Sequence, residues 1–203
     1  DPEVEKNTLA ALDVFRSLGA RVDEVDLGWG PWVLEAGLEH LNQTTGSELS
    51  MLLEEHGEEM CDYTRQLAER GAMSTGRIFM ATMQAAARMY ESLGPLLEEY
   101  NVLICPTNAL PAVSAGFNHA TDTVEINGKA VDPVLGWVMT TPFNTMSRCP
   151  VLAVPSGRAS NGVPTGIQIV GRTYCDADVM QAGMAYETAL GGWYGSPEAR
   201  PAL

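Results

Sequence analysis

The side chains able to attack, ligate or titrate near neutral pH are few and scattered: Cys61, Cys105, Cys149, Cys175, His40, His56 and His119. No cysteine pair has C-x-x-C spacing and the histidines are isolated, so neither a zinc site nor a secreted disulfide scaffold is expected. A cysteine hydrolase would have to bring Cys105 or Cys149 to His119, and nothing in their spacing selects such a pair. Unpaired cysteines of this kind read as small core hydrophobes, and they fit a reduced cytoplasm.

Charge narrows the partners. Lys and Arg number 12 against 26 Asp and Glu, a net of −14, and no basic run supplies the positive footprint that nucleic acid or anionic lipid requires. At 203 residues and 45% hydrophobic, the chain reads as a single domain or a large part of one. No stretch approaches the roughly 20 apolar residues of a membrane span. Asp1 followed by Pro2 reads as a helix N-cap and first turn, a start taken from the interior of something longer.

Helices and strands alternate along the chain. Residues 2–18 place Val4, Leu9, Leu12, Phe15 and Leu18 on one helical face, Gly19 ends that helix, and RVDEVDL (21–27) reads as a short strand. Pro31 opens a second helix through Trp32, Leu34, Leu38 and Leu41, interrupted by polar NQTTGS at 42–47 and followed by helical ELSMLLEEHGEEM. The clearest periodicity is Phe79, Met83, Ala86, Tyr90, Leu93, Leu97 and Tyr100, a core-facing helix that Gly94-Pro95 must kink or restart. Met73, Met80, Met83 and Met89 read as core, with Met80 and Met83 kept as candidate pocket-wall residues.

NVLICPT (101–107) is a buried strand ended by Pro106, Asn127-Gly128 is a turn, and Pro133 starts a short helix through Trp137. A strand at 151–154 is bracketed by Pro150 and Pro155. It is followed by a Gly-rich turn at 160–162, a strand TGIQIVG at 165–171 and a closing helix from about Asp176 to Leu190. Near-continuous apolar strands between helices indicate an α/β layered sheet.

Three stretches carry a more specific likeness: LICPTNALPA (103–112), FNTMSRCPVLAVPSG (143–157) and NGVPTGIQIVGRTYCDADVMQAGMAYE (161–187). Together they resemble the C-terminal half of the amidase signature family, hydrolases and amidotransferases acting on carboxamides. The front helix and RVDEVDL resemble the segment that follows that family's catalytic core, so the likeness runs along the whole chain. SRCP departs from the pattern of many members, which place a Gly one residue nearer the Pro.

The resemblance implies a mixed, mostly parallel sheet wrapped by helices, and catalysis by a Ser, Ser, Lys triad with no metal or organic cofactor. In the family the Lys and the Gly-Ser-rich stretch carrying both serines lie in the N-terminal half. Lys6 and Lys129 are the only lysines here and no Gly-Gly-Ser-Ser run is present, so no catalytic residue is expected in this chain. The implied partners are that N-terminal half and a small-molecule amide, with a homodimer as a further possibility. A non-catalytic, partner-binding part of an amidotransferase assembly is the alternative.

Substrate contacts are expected from Trp137, Thr140, Thr141 and Asn144, with Cys105 and Thr107 at the end of their strand and Met83 on the long helix. Ligands gather outside strand carboxyl ends in α/β sheets, which favours the strand-end positions. Each has a structural reading beside the functional one. Trp137 serves equally as packing, Asn144 as a backbone-bonding turn residue, and Gln168 as a partner for buried backbone. The negative charge favours uncharged amides over anionic ones.

Overall fold

The computed structural model describes residues 1–192. In chain order the elements are α1 (Pro2–Ser17), α2 (Trp32–Leu41), α3 (Ser47–Ser50), α4 (Leu53–His56), α5 (Asp62–Ala72), α6 (Gly76–Glu99), β1 (Val102–Pro106), β2 (Val124–Ile126), β3 (Lys129–Val131), α7 (Thr141–Met146), β4 (Val151–Arg158), β5 (Pro164–Gly171) and α8 (Asp176–Ala189). They divide into two compact units, one built from residues 1–26, 94–112 and 148 onward, the other from 27–93 and 113–147.

The first unit is a three-stranded sheet in the order β1-β5-β4 with α1 and α8 on one face. The α/β class holds, but both pairings in this sheet are antiparallel where a mostly parallel sheet was expected. Connectivity explains the difference. Only residues 159–163 join β4 to β5, with Gly162 at φ 83°, and so short a turn brings the chain straight back, whereas a parallel neighbour needs a crossover. Ile167 and Ile169 of β5 are fully buried against Ala11, Phe15, Val179 and Tyr186, and the Phe15 and Tyr186 rings stack at 5.2 Å.

Asp1 caps α1 as its sequence indicates, its carboxylate accepting from the Glu3 and Val4 amides. The face that packs is only partly the predicted one. Val4, Thr8, Ala11 and Phe15 are buried, while Leu9 and Leu18 remain about half exposed. Close approach decides this: the Asn7 amide donates to the Arg158 carbonyl and to Thr165 Oγ1, and lies where a side chain on Gly157 would stand. Small residues at 8 and 11 let the backbone come that near.

Two strand predictions change. RVDEVDL forms no strand; Val22 packs on the core, and the segment is tied down by Arg21 to Asp23 and Glu99 and by the Tyr100 hydroxyl to Asp23. Among the described residues no sheet edge pairs with it. β4 runs past Pro155 to Arg158 instead of stopping at 154, with a bulge between Pro155 and Gly157. A proline is tolerated because β4 is an edge of this sheet, and the Pro155 carbonyl accepts from the Tyr186 hydroxyl at 3.1 Å.

In the second unit, α2 buries Val33, Ala36 and Gly37, a different face from the predicted Trp32, Leu34, Leu38 and Leu41. NQTTGS does not interrupt the helix. Residues Asn42–Gly46 form a π turn that continues into α3, and Gly46 is buried against Gly71 of α5 with no side chain between the two backbones. Asn127 and Gly128, at φ 53° and 74°, make the expected two-residue turn between β2 and β3.

The long helix α6 passes through Gly94-Pro95 without restarting; its residues from Gly94 on belong to the first unit. Its buried stripe is Thr82, Ala86, Met89, Leu93 and Leu97, while Phe79, Met80 and Met83 are 45–56% exposed. Of the four methionines read as core, only Met89 is buried, and Met73 is exposed like Met80 and Met83. Both stripes have helical spacing, and the polar Thr82 joins the buried one because its hydroxyl is satisfied by the Ile78 carbonyl and accepts from Gln43.

Candidate substrate-binding site

The expected contact residues fall in both units, and each group is set by its own local structure. In the first unit, Cys105 and Pro106 end β1 opposite Gln168 and Ile167 of β5. Gln168 is fully buried in the central strand, and its Nε2 donates to the Pro106 carbonyl at 2.9 Å. Thr107 continues the attachment, its amide and its hydroxyl both donating to the Gly166 carbonyl at 2.9 and 3.1 Å. A side chain at 166 would stand 2.9 Å from Thr107 Oγ1, which is the reason this strand needs glycine there. The Gly-x-Gln pattern is therefore a clamp on the end of β1.

Burial pushes the Cys105 thiol up to about 12, a shift that its hydrogen bond with Gln168 only partly opposes. Cys149 is likewise raised by burial, with the Arg148 charge opposing. Neither has the lowered pKa of an activated nucleophile. Cys61 has the opposite setting: it is exposed, and its contact with the Thr64 hydroxyl at 3.0 Å lowers its pKa. Brief alkylation at pH 8 is expected to label Cys61 first and Cys105 last, by at least about tenfold in rate. Peptide mass spectrometry checks the order, and early labelling of Cys105 would contradict its burial.

In the second unit Met83 lies on α6 and the other expected residues lie along 132–146. Pro133 does not start a helix through Trp137. Asp132 accepts from the Val134 and Leu135 amides and holds a turn, and the helix α7 begins only at Thr141. The Trp137 indole N–H donates to the Pro133 carbonyl at 3.2 Å. His119 Nδ1 is 2.9 Å from the same oxygen, and since a carbonyl only accepts, Nδ1 carries the proton. The His119 ring stacks on Trp137 and meets Tyr63 and Phe117 edge-on.

This aromatic group was not legible in the sequence, because its members come from three separated segments, at 63, 117–119 and 137. Trp137 is held from two sides, by its hydrogen bond to the Pro133 carbonyl and by the stacked His119 ring. Thr141 is buried, with its hydroxyl on the Val138 carbonyl and its methyl against Gly37 of α2. Asn144 is exposed on α7, Thr140 is partly exposed just before it, and Met83 is 45% exposed on α6. Ser147, at φ 51°, ends α7 ahead of Arg148-Cys149-Pro150.

Among the described residues no group of three or more His, Cys, Asp or Glu is placed to hold a metal ion. No described helix is long and apolar enough to cross a membrane.

The sequence profile of the family described as Amidase matches residues 1–180, and the chain belongs to that family. Among curated proteins it is 25% identical over 189 residues to an amidase of Pseudomonas putida, covering 93% of this chain and 40% of that one. It is also 26% identical to a glutamyl-tRNA(Gln) amidotransferase subunit of Brevibacillus brevis, covering 98% and 44%. Among solved structures it is similar to a bacterial aryl acylamidase of the amidase signature family, with TM-score 0.78, 25% identity, and coverage of 92% of this chain and 40% of that one. The chain thus spans about two fifths of the length of these relatives, and its fold is the corresponding part of the amidase signature fold.

Proposed function

We infer that this chain is the C-terminal portion of one amidase domain, in a hydrolase that cleaves the C–N bond of a neutral carboxamide. The observation that carries this reading is the family match over residues 1–180 by a chain whose partly buried thiols Cys105 and Cys149 are raised and whose sequence has no Gly-Ser-rich stretch. The nucleophile is then supplied by a polypeptide segment outside this chain. There a Ser hydroxyl, relieved of its proton through a second Ser by a neutral Lys, attacks the amide carbonyl, and backbone N–H groups hold the oxyanion. Water hydrolyses the acyl-enzyme, with no metal or organic cofactor.

The role of the residues described above is to bind and orient. Gln168 and Gly166 hold the end of β1, presenting Cys105 and Thr107, and the turn at 132–146 presents Trp137, Thr140 and Asn144, with Thr141 anchoring α7 behind them. Met83, exposed on α6, offers further apolar surface to the acyl or leaving group. Four free thiols suit a reducing compartment such as the cytoplasm.

A second reading is favoured by the likeness to the Brevibacillus brevis amidotransferase: the chain would serve as a partner-binding part of such an assembly. Purification beside the polypeptide encoded upstream, with ammonia release measured on aliphatic and aromatic amides, separates the two. Hydrolysis is expected from the pair and none from the chain alone, a difference of more than about a millionfold. A pair that forms but releases no ammonia from any amide would leave the partner-binding reading and overturn the hydrolase.

A further inference from the structure

Where α6 passes the start of α2, an open surface cleft of about 250 Å³ is lined by residues 27–29 with Trp32, Arg88, Glu91 and Ser92. At roughly 30 Å³ per water this is room for about eight waters, or a small organic molecule. Its aromatic wall is held in place. The Trp29 indole donates to Ser92 Oγ at 2.9 Å, the Ser92 hydroxyl donates to the Met89 carbonyl at 3.1 Å, and Trp29 packs on Phe143 of α7. The Arg88 guanidinium lies over the Trp32 ring, 4.2 Å from its centroid.

The charges here are arranged unusually. Arg88 and Glu91 stand one helical turn apart, where opposite charges commonly pair, yet among the described residues neither has an ion-pair partner. Stacking on Trp32 occupies one face of the guanidinium and leaves its N–H edge, the part that grips a carboxylate with two parallel bonds. Glu91 offers the complementary acceptor for an ammonium, and the indoles supply apolar contact between the two.

We propose that this cleft binds a small zwitterion carrying a carboxylate and an ammonium a short chain apart, the amino acid class, with the carboxylate on Arg88 and the ammonium on Glu91. The site is made by the second unit alone and does not depend on whether the protein hydrolyses amides. The Trp29–Phe143 contact joins its wall to α7.

Titration of the purified protein with β-alanine, followed by the indole N–H resonances in nitrogen-15 spectra, tests the proposal. Trp29 and Trp32 are expected to shift with a Kd of about 1–10 mM, the range open to so small a ligand, while Trp137, bonded to the Pro133 carbonyl, stays in place. Propionate and ethylammonium, each carrying one of the two charges, are expected to bind at least about tenfold more weakly. R88Q and E91Q should each raise the Kd by about tenfold, R88K by less, and R77Q, on the same helix but outside the cleft, not at all. Both Arg88 and Glu91 are exposed, so an unchanged Tm confirms that these variants fold. No shift at saturating β-alanine, shifts that survive R88Q, or equal binding of propionate with no effect of E91Q would each overturn it.

Discussion

Gly71→Ala is expected to destabilise the protein by about 3 kcal/mol, the upper end of what overpacking costs, and to lower Tm by several degrees. The new methyl would fall on the backbone of Gly46 and Ser47, and backbone cannot rotate aside as a side chain does. Moving α5 away would also break the bond from the Ser47 hydroxyl to the Gly71 carbonyl at 3.3 Å. Gly57→Ala is the control. Its added carbon would meet only Leu53 Cδ2 at 3.9 Å, and its φ of −56° suits any residue, so a change within about 0.5 kcal/mol is expected. Urea unfolding of the two variants decides it, and equal midpoints would mean that α5 and the π turn are not in backbone contact.

Trp137→Ala is expected to lower kcat/KM for bulky aromatic amides by about 10- to 100-fold and for small aliphatic amides much less. This rests on the proposed hydrolase and needs the complete enzyme. The indole is held by Pro133 below and His119 alongside, so its loss removes a surface fixed before substrate arrives. Trp137→Phe keeps a ring but loses the N–H, and should fall between wild type and alanine. Equal losses for large and small amides would assign Trp137 to packing.

Legibility followed the range of the interaction. The Asp1 cap, the Asn127-Gly128 turn, the limits of β1, β5 and α8, and the family likeness were all readable, because each depends on neighbours in the chain or on a motif a few residues long. The aromatic group around His119 was not, since Tyr63, Phe117 and Trp137 meet it only after folding. The Arg88–Trp32 site was equally hidden, since its lining comes from 27–32 and 88–92, which meet only after folding.

Sequence by itself determined that the chain is α/β, where most helices and strands begin, and which family it belongs to, because local backbone preferences and short motifs carry that information. Tertiary structure decided which stripe of each helix is buried. On α1 and α6 part of each predicted stripe is buried, Val4 and Phe15 on one and Ala86, Leu93 and Leu97 on the other. Folding gave the remaining buried places to Thr8 and Ala11, beside the close approach of Asn7 to Gly157, and to Thr82 and Met89. It also decided the fate of Pro155. A proline stops a strand only where its missing N–H is needed, and whether it is needed depends on which neighbour the sheet places beside it.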